Sequence, residues 1–556
     1  MQALHTTTTS EPVATVCNSP KYHIDNLHLR LPQDPLDVDA WRRLADEVEK
    51  SDNPSVQIRY INHFLNDRKT FPEAEHLFQR FLKVTSPSVN LYTSYLEYIR
   101  YIHTGVDTQS QRIIRKAYDF AIKSIGGDKN SGNIWCDYIA FLKSGEISLS
   151  TSEEQQKIVR KAYQRALQTP LDNIDKIWRD YESFEFHVNR STAREFLNNM
   201  LPAYTQARSV GRDLANHLDA LYLEVPLTAN SKLEISLPTV PSFTISERQL
   251  VGKWKNYLKW EESNPLKIEE ERKTDFHTRI QIAYKKAFVR MRFYPEIWFM
   301  AYHWMDSVGR PKEAIAILKT GLEANPSSFL LTFAYVEVLE VMKNHAQAHA
   351  IYEQFLQLQK ASIVELHGRV DEEKAKQTFS TDPSSPTSTA STLTILNSDL
   401  EDRKKDYALV YITYMRFVRR TEGVEASRSL FRKARRDMYA SWEIYAAGAI
   451  MEYHHSRNQV IATRIFEAGM VQHANNKDYA LQYLTFLISV NEENNAHALF
   501  ERVISTLPAE ESRTIWECWA CYQHQYGDLK SSQKIDQRMA EIYTSGSSGC
   551  RPLFVA

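Results

Sequence analysis

An aromatic residue with a small residue three positions later returns along this chain at an interval close to 34. Tyr118/Ala121, Tyr163/Ala166, Tyr284/Ala287, Phe431/Ala434 and Phe466/Gly469 keep both members, Leu318/Gly321 is a near match, and Phe500/Val503 keeps only the ring. Tyr284, Leu318 and Tyr352 stand 34 residues apart, Phe431 and Phe466 stand 35 apart, and Phe500 follows 34 later. A second phrase lies upstream of several copies: Trp135/Tyr138, Trp178/Tyr181 and Trp254/Tyr257. Three positions is about one helical turn, so each pair shares a helix face. Self-similarity at this period predicts stacked helical hairpins, an all-α solenoid in which no hairpin can bury its own stripe. Trp135, Tyr138, Trp178, Tyr181, Trp254, Tyr257, Trp298, Phe431, Phe466, Phe500 and Trp516 are therefore expected in the repeat core, where the large rings fill the gap left by small partners. A cage of rings around a ligand is the less economical reading.

The composition agrees. The chain has only 16 glycines in 556 residues, with 29 Tyr, 24 Phe and 10 Trp. Sparse glycine favours helices. The formal net charge of −1 argues against a wholly basic nucleic-acid binder and leaves room for local patches. Five scattered cysteines imply no disulfide framework and point to a reducing compartment. No stretch approaches the roughly 20 apolar residues of a membrane helix. The N-terminus shows no basic start followed by an apolar run. The expectation is a soluble intracellular protein.

Breaks in the interval divide the chain. Residues 1–34, with the threonine run 6–9 and Pro12, Pro20 and Pro32, show no apolar period and read as disordered. Asp39 is a candidate N-cap for a helix carrying Trp41, Leu44 and Val48. A first array of hairpins, with looser spacings of 40 and 45, is expected over 35–223. Pro226, Pro238 and Pro241 mark an inter-array linker over 224–246. A second, tighter array follows over 247–545, and 546–556 form a tail. Within the second array, the doubled interval of 79 residues from Tyr352 to Phe431 holds a Ser/Thr/Pro-rich stretch around Pro383 and Pro386. Residues 360–404 are accordingly expected to be a disordered insertion; Ser385, before Pro386, is a candidate phosphorylation site within it.

No sequence motif supplies an active site. There is no Gly-rich phosphate loop, no His-Glu-x-x-His zinc helix and no Gly-x-Ser-x-Gly elbow. Consecutive His454 and His455 point in different directions on a helix and cannot both ligate one ion from there. Cys518 and Cys521 have the spacing of half a zinc site without a second pair, and read as small core fillers. The expectation is no catalytic residue, no metal and no cofactor. The one concentration of charge is basic. Arg416, Arg419 and Arg420 end one helix; Arg428, Arg432, Arg435 and Arg436 recur at i, i+4, i+7 and i+8, with Lys433 beside them. Such a face suits phosphates of RNA or an acidic partner segment. Equally, arginines at this motif position pair with first-helix carboxylates, and arginines near a helix C-terminus stabilise it. Both readings stand at this stage. No exposed aromatic is interleaved with these arginines, which argues against base-specific reading of a single strand.

The two phrases together resemble the half-a-TPR (HAT) repeat. Trp254, Tyr257 and Glu261 match its first helix; Ala462, Phe466, Glu467 and Gly469, and Ala496, Phe500 and Glu501, match its second. Longer stretches are similar to the suppressor-of-forked family, which includes the large HAT subunit of the cleavage stimulation factor in mRNA 3′-end processing. They are 37–41, 77–80, 178–181, 254–266, 410–423, 450–453 and 491–502, in consistent order from about 35 to 545, with 404–530 closest. The resemblance implies a nuclear, non-enzymatic HAT scaffold of pre-mRNA cleavage and polyadenylation, with two arrays joined at an angle near 224–246. It also implies a homodimer through the C-terminal array, an RRM-bearing RNA-binding subunit, and docking on the cleavage and polyadenylation factors, so contact with RNA is indirect.

Two departures qualify this. Between Trp41 and Phe78 the chain is about one helix shorter than the family pattern. The family's proline-rich tail, which holds the RNA-binding subunit, is not visible after Trp516, Trp519 and Leu529, so a truncated or alternative product is implied and that contact is in question. The rivals are a HAT scaffold of splicing or ribosomal-RNA processing, and a direct RNA binder using residues 416–436.

Overall fold

The computed structural model describes residues 75–79, 82, 88–103, 108–144, 152–222, 241–242, 244–379 and 386–543. Among them every regular element is a helix, and consecutive helices pair into hairpins. The chain divides into two compact units after Asn325.

The first unit contains α1 (Val89–Ile102), α2 (Thr108–Ile125), α3 (Gly132–Ser144), α4 (Ser152–Leu167), α5 (Ile174–Val188), α6 (Arg190–Tyr222), α7 (Ile245–Glu262), α8 (Lys273–Arg290), α9 (Pro295–Ser307) and α10 (Pro311–Ala324). The second contains α11 (Phe329–Val341), α12 (His345–Phe379), α13 (Pro386–Thr421), α14 (Val424–Ala434), α15 (Trp442–Ser456), α16 (Gln459–His473), α17 (Lys477–Ser489), α18 (Glu493–Thr506), α19 (Ala509–Tyr526) and α20 (Leu529–Tyr543). Local chemistry sets these limits. Pro295 and Pro311 open α9 and α10, where a missing N–H costs nothing. The Asn458 and Asn476 side chains accept from the first-turn N–H groups of α16 and α17. Gly423, at φ 96°, turns the chain from α13 into α14 in a conformation that suits only glycine well.

The rings occupy the space between hairpins. Trp135, Tyr138, Tyr181, Trp254, Tyr257, Trp298, Phe431, Phe466, Phe500 and Trp516 are buried. Trp178 is half-buried and stacks on Tyr204 with centroids 4.4 Å apart. The small partners let these rings in. A Cβ on Gly469 would lie 2.1 Å from the Tyr479 hydroxyl oxygen, which donates to the Phe466 carbonyl at 2.8 Å. A Cβ on Gly448 would lie 2.7 Å from the ring of Phe431. Stacked pairs such as Phe288–Trp298 (4.0 Å, 2°) and Phe466–Tyr483 (4.7 Å, 9°) then run from one helix to the next.

A buried carboxylate recurs beside them. Glu185, Glu261 and Glu452 are each almost fully buried and each takes a two-pronged contact from an arginine: Arg160, Arg279 and Arg428. Glu185 and Glu261 follow the tyrosine of the Trp-x-x-Tyr phrase by four residues, and Glu452 follows Gly448 by four, so the pair is part of the repeat.

Three expectations change. Residues 360–404 are not a disordered insertion where they are described: 360–379 continue α12 and 386–404 belong to α13, and the two helices pack along each other. Ile363 and Val370 on α12, and Leu393, Leu396 and Leu400 on α13, are buried at helical spacings. One apolar residue per turn is enough to seat each helix, and the polar residues between them mask that stripe when composition alone is read. Second, the compact units do not divide at 224–246. Leu214 and Leu221 of α6 share a core with Val251, Trp254 and Leu258 of α7, and the division falls after Asn325. Third, α14 ends at Ala434 with Arg435 as its αR cap, still donating its backbone N–H to the Phe431 carbonyl, so Arg436 alone lies beyond the helix on which the i+8 spacing put it. The expectations for 1–34, for the helix carrying Trp41, for residues 223–240 and for the tail 546–556 fall outside the described residues.

The close approach at Gly469 is testable. Alanine there gains about 1 kcal/mol of helix propensity, but overpacking a filled core costs about 1–3 kcal/mol. Gly469→Ala is therefore expected to lower the melting temperature by about 2–4 °C. Adding Tyr479→Phe, which removes the obstructing hydroxyl, recovers part of the loss. A higher melting temperature for the single variant contradicts ring-into-glycine packing as the constraint.

Candidate partner-binding surface

The basic cluster is built where α13 ends and α14 begins. Both helices carry their apolar residues inward: Met415, Phe417 and Val418 on α13, and Leu430, Phe431 and Ala434 on α14 are buried. The arginines between them are left pointing outward, and their surroundings sort them into two kinds.

Arg420 and Arg428 are committed to structure. Arg420 holds Glu340 of α11 through Nε and Nη2 at 2.7 and 2.6 Å. Arg428 grips Glu452 of α15 through Nε at 3.0 Å and through Nη2, and also reaches Glu425 one turn back. The guanidinium of Arg420 holds the Glu340 carboxyl below its ordinary range, and Arg428 does the same to Glu452. Lys433 lies 3.5 Å from Glu353 of α12, a loose surface pair. Glu422 turns instead to His349 of α12, at 2.5 Å.

The remaining cations have no carboxylate partner among the described residues. Arg416 is exposed on the wall of a groove of about 550 Å³ between α11 and α13, beside Phe333, Glu337 and Val341. Arg419 borders a separate depression of about 540 Å³ with Gly423, Arg428 and His455. Arg432 touches only the Ser429 hydroxyl, at 3.1 Å. Arg435 lies over the Phe431 ring at 5.9 Å, and Arg436 stands exposed after the helix. The cluster contiguous in sequence is thus split. Arg416 and Arg419 belong to α13 and its grooves toward α11 and α15, whereas Arg432 and Lys433 lie on α14, and Lys433 faces α12. An extended anion can follow such cations along neighbouring helices; a single phosphate pocket is not formed.

Neither cysteine of the pair at 518 and 521 has a metal-like setting. Cys518 is half-buried, and burial pushes its thiol up, while Cys521 is exposed. Among the described residues no group of three or more His, Cys, Asp or Glu side chains is placed to hold a metal ion, and no helix is long and apolar enough to cross a membrane. What sequence reasoning missed was the identity of the acidic partners Glu340 and Glu452. The signal for Glu452 was present, since it repeats the position of Glu185 and Glu261. Nothing in the local sequence marked Glu340.

The sorting predicts two stabilities. Arg428→Ala strips the counter-charge from a buried carboxylate and is expected to cost about 3 kcal/mol. Arg432→Ala and Arg436→Ala should stay within about 0.5 kcal/mol of the parent in the same melts. pH gives an independent check. The folded-state values of Glu340, Glu452 and Glu501 are depressed by Arg420, Arg428 and Arg538. Their contribution is complete above the ordinary glutamate range and is lost as pH falls below it through the folded values. Glu443, raised by burial, works in the opposite direction. Melting temperature is therefore expected to fall as pH drops below about 4.5, and Glu452→Gln to make that fall shallower. An unchanged acid limb in Glu452→Gln contradicts the assignment.

Comparison with known proteins follows the same lines. Residues 23–551 match the family model described as Suppressor of forked protein (Suf). The mRNA 3′-end-processing protein rna14 of Schizosaccharomyces pombe is 34% identical over 571 residues, covering 98% of this chain and 74% of that protein. The RNA14 protein of Cryptococcus neoformans var. neoformans serotype D, with the same description, is 34% identical, covering 91% of this chain and 50% of that protein. Cleavage stimulation factor subunit 77 of Arabidopsis thaliana is 32% identical, covering 86% and 57%. The chain thus spans half the length of the Cryptococcus protein and little more than half of the Arabidopsis one. Its fold matches the crystal structure of CstF-77 with a TM-score of 0.58, over 90% of this chain and 91% of that one, at 18% identity. The architecture is therefore that of an α-solenoid of HAT hairpins, and the chain belongs to the suppressor-of-forked family.

Proposed function

We propose that this protein is a nuclear, non-enzymatic scaffold of pre-mRNA 3′-end cleavage and polyadenylation, working as a homodimer through its C-terminal repeats. The observation that carries the proposal is the 34% identity to the S. pombe 3′-end-processing protein over 98% of this chain. The physical mechanism is geometric. Hairpins locked by rings and buried ion pairs hold their outward faces at fixed spacing, and two factors bound to such faces meet at raised effective concentration. The partners proposed are an RRM-bearing RNA-binding subunit and the cleavage machinery. Arg416, Arg419, Arg432, Arg435 and Arg436 are the side chains free to take an acidic segment of one of them.

A second reading, direct binding of RNA phosphates, is favoured by the same free arginines. Cross-linking and sequencing of RNA bound in cells distinguishes the processing roles. Reads clustered around cleavage and polyadenylation sites are expected; reads confined to introns or pre-ribosomal RNA would sink the 3′-end assignment. Light scattering of the purified chain at micromolar concentration is expected to give about twice the 64.6 kDa protomer mass, and a mass of one protomer removes the homodimer. In a filter-binding salt series, micromolar RNA binding that falls steeply with salt, and is abolished by reversing Arg416, Arg419 and Arg432, would replace indirect with direct contact.

A further inference from the structure

In a linear stack of hairpins each repeat touches only its neighbours. The first unit departs from this at α8. Lys286 pairs with the buried carboxylate of Asp128, 158 residues earlier, in the turn between α2 and α3. Arg279, two turns earlier on the same face of α8, donates through Nε and Nη2 to Glu261 at 2.7 and 2.9 Å and through Nη1 to the Gly127 carbonyl at 3.4 Å. Arg272, immediately before α8, donates to Gln168 just past the end of α4, at 2.5 Å. Gln206 of α6 donates to the Pro265 carbonyl in the turn between α7 and α8, at 2.8 Å. Arg272 and Lys286 are 14 residues apart, about 21 Å along a helix. The polar tethers therefore hold α8 near both ends.

The geometry gives these tethers a particular task. The contact between α6 and α7 is made mainly by Leu214, Leu221, Val251 and Leu258, with the His217 ring of α6 against Tyr257 and Trp260 of α7, and burial of this kind is only weakly directional. It secures attachment and leaves rotation and sliding of the α7–α8 hairpin weakly specified. Hydrogen bonds and ion pairs at two separated points are directional and remove that freedom. The space enclosed by Asp128, Leu218, Tyr257, Ala283 and Lys286 is only about 40 Å³, room for about one water, so the seat is closely fitted.

We propose that Asp128, Gly127, Gln168 and Gln206, with Lys286, Arg279, Arg272 and Pro265, form an ionic clasp that fixes the angle of α7–α10 on α1–α6. Because Lys286 and Arg272 are partly exposed, the clasp loosens as salt rises, and surfaces on its two sides change their spacing. The inference rests on contacts within one unit and is independent of the role in RNA processing.

Single-molecule energy transfer on the full chain tests it, with dyes on unnatural amino acids placed at the exposed positions Lys157 and Lys312. At about 0.1 M salt, where the screening length is about 10 Å, one narrow distance distribution is expected. Lys286→Asp broadens or shifts it, and Asp128→Lys combined with Lys286→Asp narrows it again. Raising salt to about 1 M, where the screening length is about 3 Å, produces the same broadening in the unaltered chain. A Lys286→Asp chain with full helical circular dichroism and an unchanged distribution overturns the clasp, as does a broad distribution in the unaltered chain at low salt. Should Lys286→Asp not fold, the salt series and the isosteric Asp128→Asn decide in the same terms.

Discussion

Everything in this structure depends on a ring from one helix entering space that its neighbour leaves empty. The Tyr479 hydroxyl stands where a Gly469 Cβ would be, and the Phe431 ring stands against Gly448. A hairpin with its stripe of rings exposed would carry several hundred square ångströms of aromatic surface in water, since each such ring buries roughly 150–250 Å². Only the next hairpin can cover it, so order in one repeat requires order in its neighbours. The buried Glu–Arg pairs add direction to this contact. Rings and small residues permit close approach over a range of rotations, whereas Glu185, Glu261 and Glu452 each accept their arginine in one geometry. A buried pair of this kind contributes orientation more dependably than net stability.

The same economy explains the basic cluster. A repeat that uses arginine as a structural partner places many arginines on its second helices, and the ones not called upon remain at the surface. Arg428 and Arg432 are one turn apart on α14, yet the first meets a buried carboxylate and the second meets only a serine. Charge density in the sequence therefore overstates the surface available to a partner. What remains is a sparse set of cations distributed over α13, α14 and the turn after α14. It suits an extended acidic segment or a phosphate backbone better than a compact anion.

Departures from the repeat are where individuality enters. In α12 and α13 the hairpin is lengthened well beyond its neighbours, with one apolar residue per turn holding the pair together. At α8 a second hairpin reaches back over more than 150 residues of sequence to the turn at Asp128. Both features depart from the uniform repeat: a lengthened hairpin and a contact between hairpins distant in sequence.

The hairpin fold was legible from the chain because its signal is local. A ring and a small residue one turn apart, repeated every 34 positions, constrain a helix face without reference to anything distant, and the buried rings follow from it. The same locality made residues 360–404 misleading, since serine, threonine and proline dominated a window in which Ile363, Val370, Leu396 and Leu400 were the residues that mattered. Only the tertiary structure decided which arginines are free, where the compact units divide, and that α8 is anchored to the α2–α3 turn. Those outcomes depend on Glu340 lying 80 residues from Arg420 and Asp128 lying 158 from Lys286. Pairings at such separations are chosen by the packing of whole helices, and no periodicity within a repeat encodes them.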